Sequence, residues 1–199
     1  MHFPIGFFDV DTRVVNDQGK GLVIGPRAEP IAPQLDPLFA LASLRRLPVV
    51  ATTCVQTPPV ADALDTEAVH VRLDGDPKPA LARAGSASAI FLERRSCGSA
   101  EANVAAGVFD VFHVNPHAAE CIRRTGIHHW AVFGISLEYC LRGTCLGLCR
   151  LGLDVTVLTD AVVPSPRPFG QTVEEVLAEL ASAGAHLQRT AAFLEAIRA

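Results

Sequence analysis

Three side chains able to do chemistry together stand at comparable places in the chain: a carboxylate at Asp9, a guanidinium at Arg94 and a thiol at Cys140. Each follows a short apolar run of strand type. Pro4-Ile5-Gly6-Phe7-Phe8 leads into Asp9-Val10-Asp11, Ser88-Ala89-Ile90-Phe91-Leu92 into Glu93-Arg94-Arg95, and Trp130 to Phe133 into the turn that reaches Cys140. A thiolate attacks an electrophilic carbon and a nearby cation holds it charged. A carboxylate moves the proton, and backbone amides hold the oxyanion that forms. Each residue also has a plainer reading. Cys140 is a small buried residue, Asp9 a turn former that caps the loop after it, and the arginines either clamp an anion or are solvated. Strand-end positions permit the three to meet along one rim without requiring it.

The elements that must position them are legible around Cys140. Trp130 to Phe133 is a buried strand ended by Gly134, Ile135 to Tyr139 is a turn, and Cys140 opens a helix reaching about Arg150. Gly152 stops that helix, and Val155 to Leu158 is the next strand, which completes a βαβ unit. Ligands in such folds sit where strand carboxyl ends meet helix N-termini. A thiol there feels the positive end of the helix dipole, so a depressed pKa is expected.

Further strands are expected at Pro48 to Thr52, at Ser88 to Leu92 and, as a short edge, at Ala68 to Leu73. Helices are expected from Leu35 to about Arg46, from Pro116 to Thr125 with Gly126 closing it, and from Thr172 onward. Asn16 to Pro33, Thr53 to Thr66 and Gly98 to Gly107 read as loops, the last as a loop or a frayed helix. Strands alternating with helices give a mostly parallel, three-layer α/β/α sandwich of Rossmann type.

Length and composition narrow the classes. At 199 residues, 49% apolar and 19% charged, the chain is expected to form a single domain, 1–199, with a full core. A net charge of −4 and a pI near 5.9, with no basic cluster, argue against a nucleic-acid partner. No apolar run approaches the roughly 18 residues of a membrane span. The start MHFPIGFFDVD lacks a basic n-region and reaches Asp9 too soon for a signal peptide. The six cysteines sit inside apolar patterns, so reduced thiols in a cytoplasm are the expectation. Cys145 and Cys149, four apart on one helix face, read as core filler rather than as a metal pair.

The stretch FGISLEYCLRGTCLGLCRLGLDVTVLTDAV resembles the signature of the isochorismatase-like cysteine hydrolases, the superfamily that includes nicotinamidases and N-carbamoylsarcosine amidases. FFDVD resembles its first strand, LPVVATT its second, and LERR with FDVFHVNPHAAECIRRTGI its third strand and the helix beyond. The likeness spans nearly the whole chain, strongest around Cys140 and weakest between Thr53 and Ala87. It implies a six-stranded parallel sheet and an Asp–Lys–Cys triad, with Asp9 matching the aspartate and Cys140 the nucleophile. It further implies a cis peptide between Ile135 and Ser136 framing an oxyanion hole, a last helix broken at Gly184 with a short strand from Ala185 to Arg189, and a dimer or tetramer of a chain acting on a small molecule.

Three departures qualify the resemblance. The family lysine should follow the third strand, but the lysines here are Lys20 and Lys78, and Arg94 stands at the expected place with Arg95 as a one-residue alternative. Arginine keeps the charge, yet with a pKa above about 12 it does not shuttle protons. About ten residues are also inserted between Arg95 and Phe109, a length that reads as a surface loop. Where nicotinamidases of the family carry an Asp-x-His pair, this chain reads Cys54-Val55-Gln56, so no metal is expected, and no cofactor. The readings are therefore a hydrolase of a small amide or similar C–N bond using Cys140, Asp9, Arg94 and the amides of Ser136 and Cys140. Against it stand an idle member of the family that binds a ligand or partner, and a redox sensor pairing Cys140 with Cys54 or Cys97.

Overall fold

Runs of apolar residues too short for helices, bounded by turn residues, become strands buried on both faces. In a computed structural model, residues 5–15, 22–54, 69–73, 89–94, 102–103, 109–166 and 170–198 are described. Strands β1 (Ile5–Val10), β4 (Val49–Cys54), β5 (Val69–Val71), β6 (Ala89–Arg94), β7 (His129–Ile135), β8 (Asp154–Val163) and β9 (His186–Gln188) form one sheet. Its order is β5-β6-β4-β1-β7-β8-β9 and every pairing is parallel. The sheet has seven strands where six were expected, because both three-residue edge strands, β5 and β9, join it. Part of the expected first loop is structured as well: β2 (Arg13–Val15) pairs antiparallel with β3 (Leu22–Ile24).

Period-2 alternation divides the core. Phe8, Val10, Trp130 and Val132 face one side, packed under α2 (Val111–Val114), α3 (Ala118–Arg124), α4 (Arg142–Arg150) and α5 (Val173–Ser182). Phe7, Ala131, Phe133 and Ile135 face the other, under α1 (Ala32–Arg45) and α6 (Thr190–Arg198). Residues i and i+1 of a strand therefore belong to different cores, which decides where an acid on β1 points.

Two contacts at the centre tolerate no side chain. Gly134 in β7 has φ +131°, and a Cβ there would lie 2.1 Å from the carbonyl oxygen of Val10 in β1. A Cβ on Gly147 of α4 would lie 2.2 Å from the Phe112 ring of α2. The glycines let β1 close on β7, and α2 on α4, around the turn that carries Cys140. Downstream, Thr172 caps α5 in a reciprocal capping box with Glu175. Gly184, at φ +100°, ends the turn before β9.

Candidate active site

The chain leaves β7 through Ile135, whose peptide bond to Ser136 is cis. A π-helical turn, Leu137–Leu141, follows at once, with the amides of Tyr139 and Leu141 donating to the Ser136 carbonyl at 3.1 and 3.2 Å. Cys140 thus does not open the helix. It lies inside the π turn, and α4 begins only at Arg142. The extra residue in the turn swings the cysteine back over the sheet rim, where it is 6% exposed.

At that rim the thiol meets a carboxylate, and the carboxylate is Asp11. Asp11 is close enough to raise the Cys140 thiol's pKa by charge and hydrogen bonding, while the Ser136 backbone lowers it. Asp11 in turn accepts from Thr52 Oγ1 at 2.7 Å and forms an ion pair with Arg94. Arg94 is the last residue of β6 and is 9% exposed, so the pair is largely shielded from water. Arg95 lies outside the described residues.

Asp9, the acid that sequence comparison placed here, is elsewhere. β1 continues through Val10, so Asp9 is within the strand on the face of Phe7, toward α1. Its Oδ1 accepts from the Thr12 hydroxyl and, at 3.3 Å, from the Thr12 amide. Its Oδ2 lies 3.0 Å from Arg13 Nε, and the Arg13 guanidinium stacks 4.0 Å over the Phe39 ring of α1. Burial pushes the Asp9 carboxyl up, against the opposing pull of Arg13 and Thr12. The strand ends one residue later, and Asp11 turns back with φ +55°, a conformation that Asp tolerates better than most residues. That left-handed step brings Asp11 onto the rim beside Cys140. The sequence carried a signal for it, a second acid two residues on in Asp9-Val10-Asp11. The signal was ambiguous because the exact end of the strand was not readable.

The electrostatics also differ from expectation. Burial is the largest influence on the Cys140 thiol and drives its pKa well above the ordinary range; the Asp11 charge and hydrogen bond add to this. Arg94 and the Ser136 amide pull the other way without prevailing. The expected depression by a helix terminus does not occur: desolvation outweighs one favourable charge that is already engaged by Asp11.

Supporting contacts hold the rim in place. Asn115, 1% exposed, donates through Nδ2 to the carbonyls of Val71 at 3.0 Å and Glu93 at 2.8 Å, joining the ends of β5 and β6 beside Arg94. Buried Glu138 accepts the Ser165 amide at 2.7 Å and so anchors the segment after β8 against the π turn. Arg27, which carries no sequence signal for the site, donates from Nη2 to Ser136 Oγ at 2.6 Å. Among the described residues no three His, Cys, Asp or Glu side chains converge as a metal ion would require. Cys121, Cys140, Cys145 and Cys149 are free thiols; the side chain of Cys54, and Cys97, lie outside the described residues.

The chain thus forms a three-layer α/β fold with a cysteine on a tight turn at the rim of a parallel sheet, beside an acid and a cation. The family model described as Isochorismatase domain matches residues 7–192, and the chain belongs to the isochorismatase family. No curated protein sequence matches it. Among solved structures it is similar to an isochorismatase family protein from Desulfovibrio vulgaris, with a TM-score of 0.61 at 15% identity over 100% of both chains. It is also similar to the N-carbamoylsarcosine amidase of Thermoplasma acidophilum, with a TM-score of 0.56 at 17% identity over 94% of this chain and 96% of that one. The nicotinamidase of Staphylococcus aureus gives 0.59 at 14% identity over 94% and 98%. At these identities the likeness is one of fold.

Proposed function

We propose that the protein is a cysteine hydrolase of a small-molecule amide or similar C–N bond, with Cys140 as nucleophile, Asp11 as the acid–base group and Arg94 as a fixed cation. The observation that carries this reading is the placement of Asp11, held by Arg94 and Thr52, near enough to the Cys140 thiol to act on it by charge and hydrogen bonding. As the sulfur bonds to the carbonyl carbon, its proton passes to Asp11. Asp11 gives that proton to the departing nitrogen as the C–N bond breaks, leaving a thioester. Water then attacks the thioester, its proton going first to Asp11 and then to the sulfur as the acid is released. The amides of Ser136 and Cys140 are the donors for the oxyanion. Asp9 shapes the Thr12–Arg13 bend from which Asp11 projects.

This route accounts for the missing lysine. The proton moves between sulfur and Asp11 without visiting the cation, so a guanidinium that never deprotonates suffices to orient Asp11 and offset charge. The rival reading, a member that binds without turning over, draws on the burial of the thiol, which pushes its pKa up. Turnover on a panel of small amides separates them. Asp11→Asn is expected to lower kcat by about 10²–10⁴-fold, the usual worth of a positioned acid–base group. Asp9→Asn, which keeps an acceptor for Thr12, is expected to cost far less. The reverse order would return the role to Asp9, and a panel without any turnover would favour the binding reading.

A further inference from the structure

The arginines around the candidate site meet carboxylates with one exception. Asp11 is matched by Arg94 and Asp9 by Arg13, while Glu138 accepts a backbone amide. Arg27 alone among these cations has a neutral partner, the Ser136 hydroxyl, as its bonded group among the described residues. It is exposed, yet its backbone is fixed. The Gly25 amide donates to the Thr12 carbonyl at 2.8 Å, next to Asp11, and the Ala28 amide closes a turn onto the Gly25 carbonyl at 2.8 Å. Pro26 stiffens that turn, and Ala28, fully buried, anchors its far end. Arg27 therefore reaches the site from a rigid seat beside the acid and touches the residue whose amide meets the sulfur.

A guanidinium has five N–H donors, and one bond to a serine leaves a planar edge that matches a carboxylate. We propose that Arg27 selects the substrate: it binds an anionic group, a carboxylate, carried a few bonds from the amide that Cys140 attacks. The protein on this view hydrolyses amides of acidic small molecules rather than neutral ones. The inference deepens the proposed hydrolase reading and rests on the same site.

The test uses two alkylating reagents of equal reach and different charge. Labelling of Cys140 by iodoacetate and by iodoacetamide is followed by mass spectrometry of its peptide, above the ordinary thiol pKa of about 8.5. Arg27→Gln is expected to lower the iodoacetate rate about tenfold, as befits loss of a charge-assisted bond, and to leave the iodoacetamide rate alone. Arg27→Lys is expected to restore part of the difference. Equal slowing with both reagents would make Arg27 a mere support for the turn, and an unchanged ratio would give it no role; either overturns the proposal. Should Cys140 resist both reagents, the nucleophile reading fails separately. The selectivity is then read from Cys140→Ala protein titrated with malonamate and with malonamide. A preference for malonamate that Arg27→Gln abolishes supports anion recognition, whereas no preference, or no binding of either, overturns it.

Discussion

Opposing influences act on the single sulfur of Cys140, and their balance gives a signed prediction. Burial and Asp11 favour the neutral thiol, while Arg94 and the Ser136 amide favour the thiolate. Removing the Asp11 charge should therefore lower the thiol pKa, and removing Arg94 should raise it. With iodoacetamide at fixed pH, Asp11→Asn should label at Cys140 faster than the parent protein and Arg94→Ala more slowly. Asp9→Asn should label as the parent does. Faster labelling together with lost turnover would separate the acid's effect on the resting thiol from the proton transfer proposed for it. Equal labelling of all four proteins would show that Asp11 does not touch the thiol. Residue types were readable here and partners were not. Asp9 and Asp11 differ by two positions in sequence, and a left-handed residue at the strand end places Asp11, rather than Asp9, beside the thiol.

At the level of elements, the site depends on how closely β1 and β7 approach. Gly134 meets backbone rather than a flexible side chain, so a methyl group there has no cheap way out. Its φ of +131° also disfavours any L side chain. Gly134→Ala is expected to destabilise the fold by about 2–4 kcal/mol, at the upper end for single substitutions, as measured by urea unfolding. Gly126→Ala, where a Cβ would meet open space, carries only the φ cost of a turn residue at +68° and should lose less. The β7–turn–α4–β8 unit and the capping box of α5 were legible because local chemistry specifies them: an apolar run, a glycine stop, a Thr-x-x-Glu cap. The π turn was not, because one additional residue in a helical turn leaves no compositional trace.

For the molecule as a whole, the buried thiols set an alkaline limit. Burial, with a smaller push from Glu120, raises Cys121 from 9.0 to about 11. Cys140, Cys145 and Cys149 shift in the same direction, chiefly through burial. A raised folded pKa means that the unfolded chain loses the proton first. The associated stability is therefore complete below pH 9.0 and drains away as pH rises toward 11. For Cys121 alone the two-unit shift corresponds to about 3 kcal/mol. Chemical unfolding followed from neutral pH upward should show midpoints falling above pH 9, and Cys121→Ala should flatten that decline. A midpoint flat to pH 11 in the parent protein would contradict it.

By itself the sequence determined the class of fold and the strand–turn–helix–strand unit that carries Cys140, since hydrophobic period, glycine stops and caps act over a few residues. The tertiary structure decided that Asp11 lies beside the thiol, that burial pushes the thiol's pKa up, and that Arg27 joins Ser136. Those depend on where a strand ends, on how much water a closed rim excludes, and on contacts such as Arg27 to Ser136, which spans 109 positions. Distance along the chain carries no such information, because desolvation and charge pairing are set by what packs together in space.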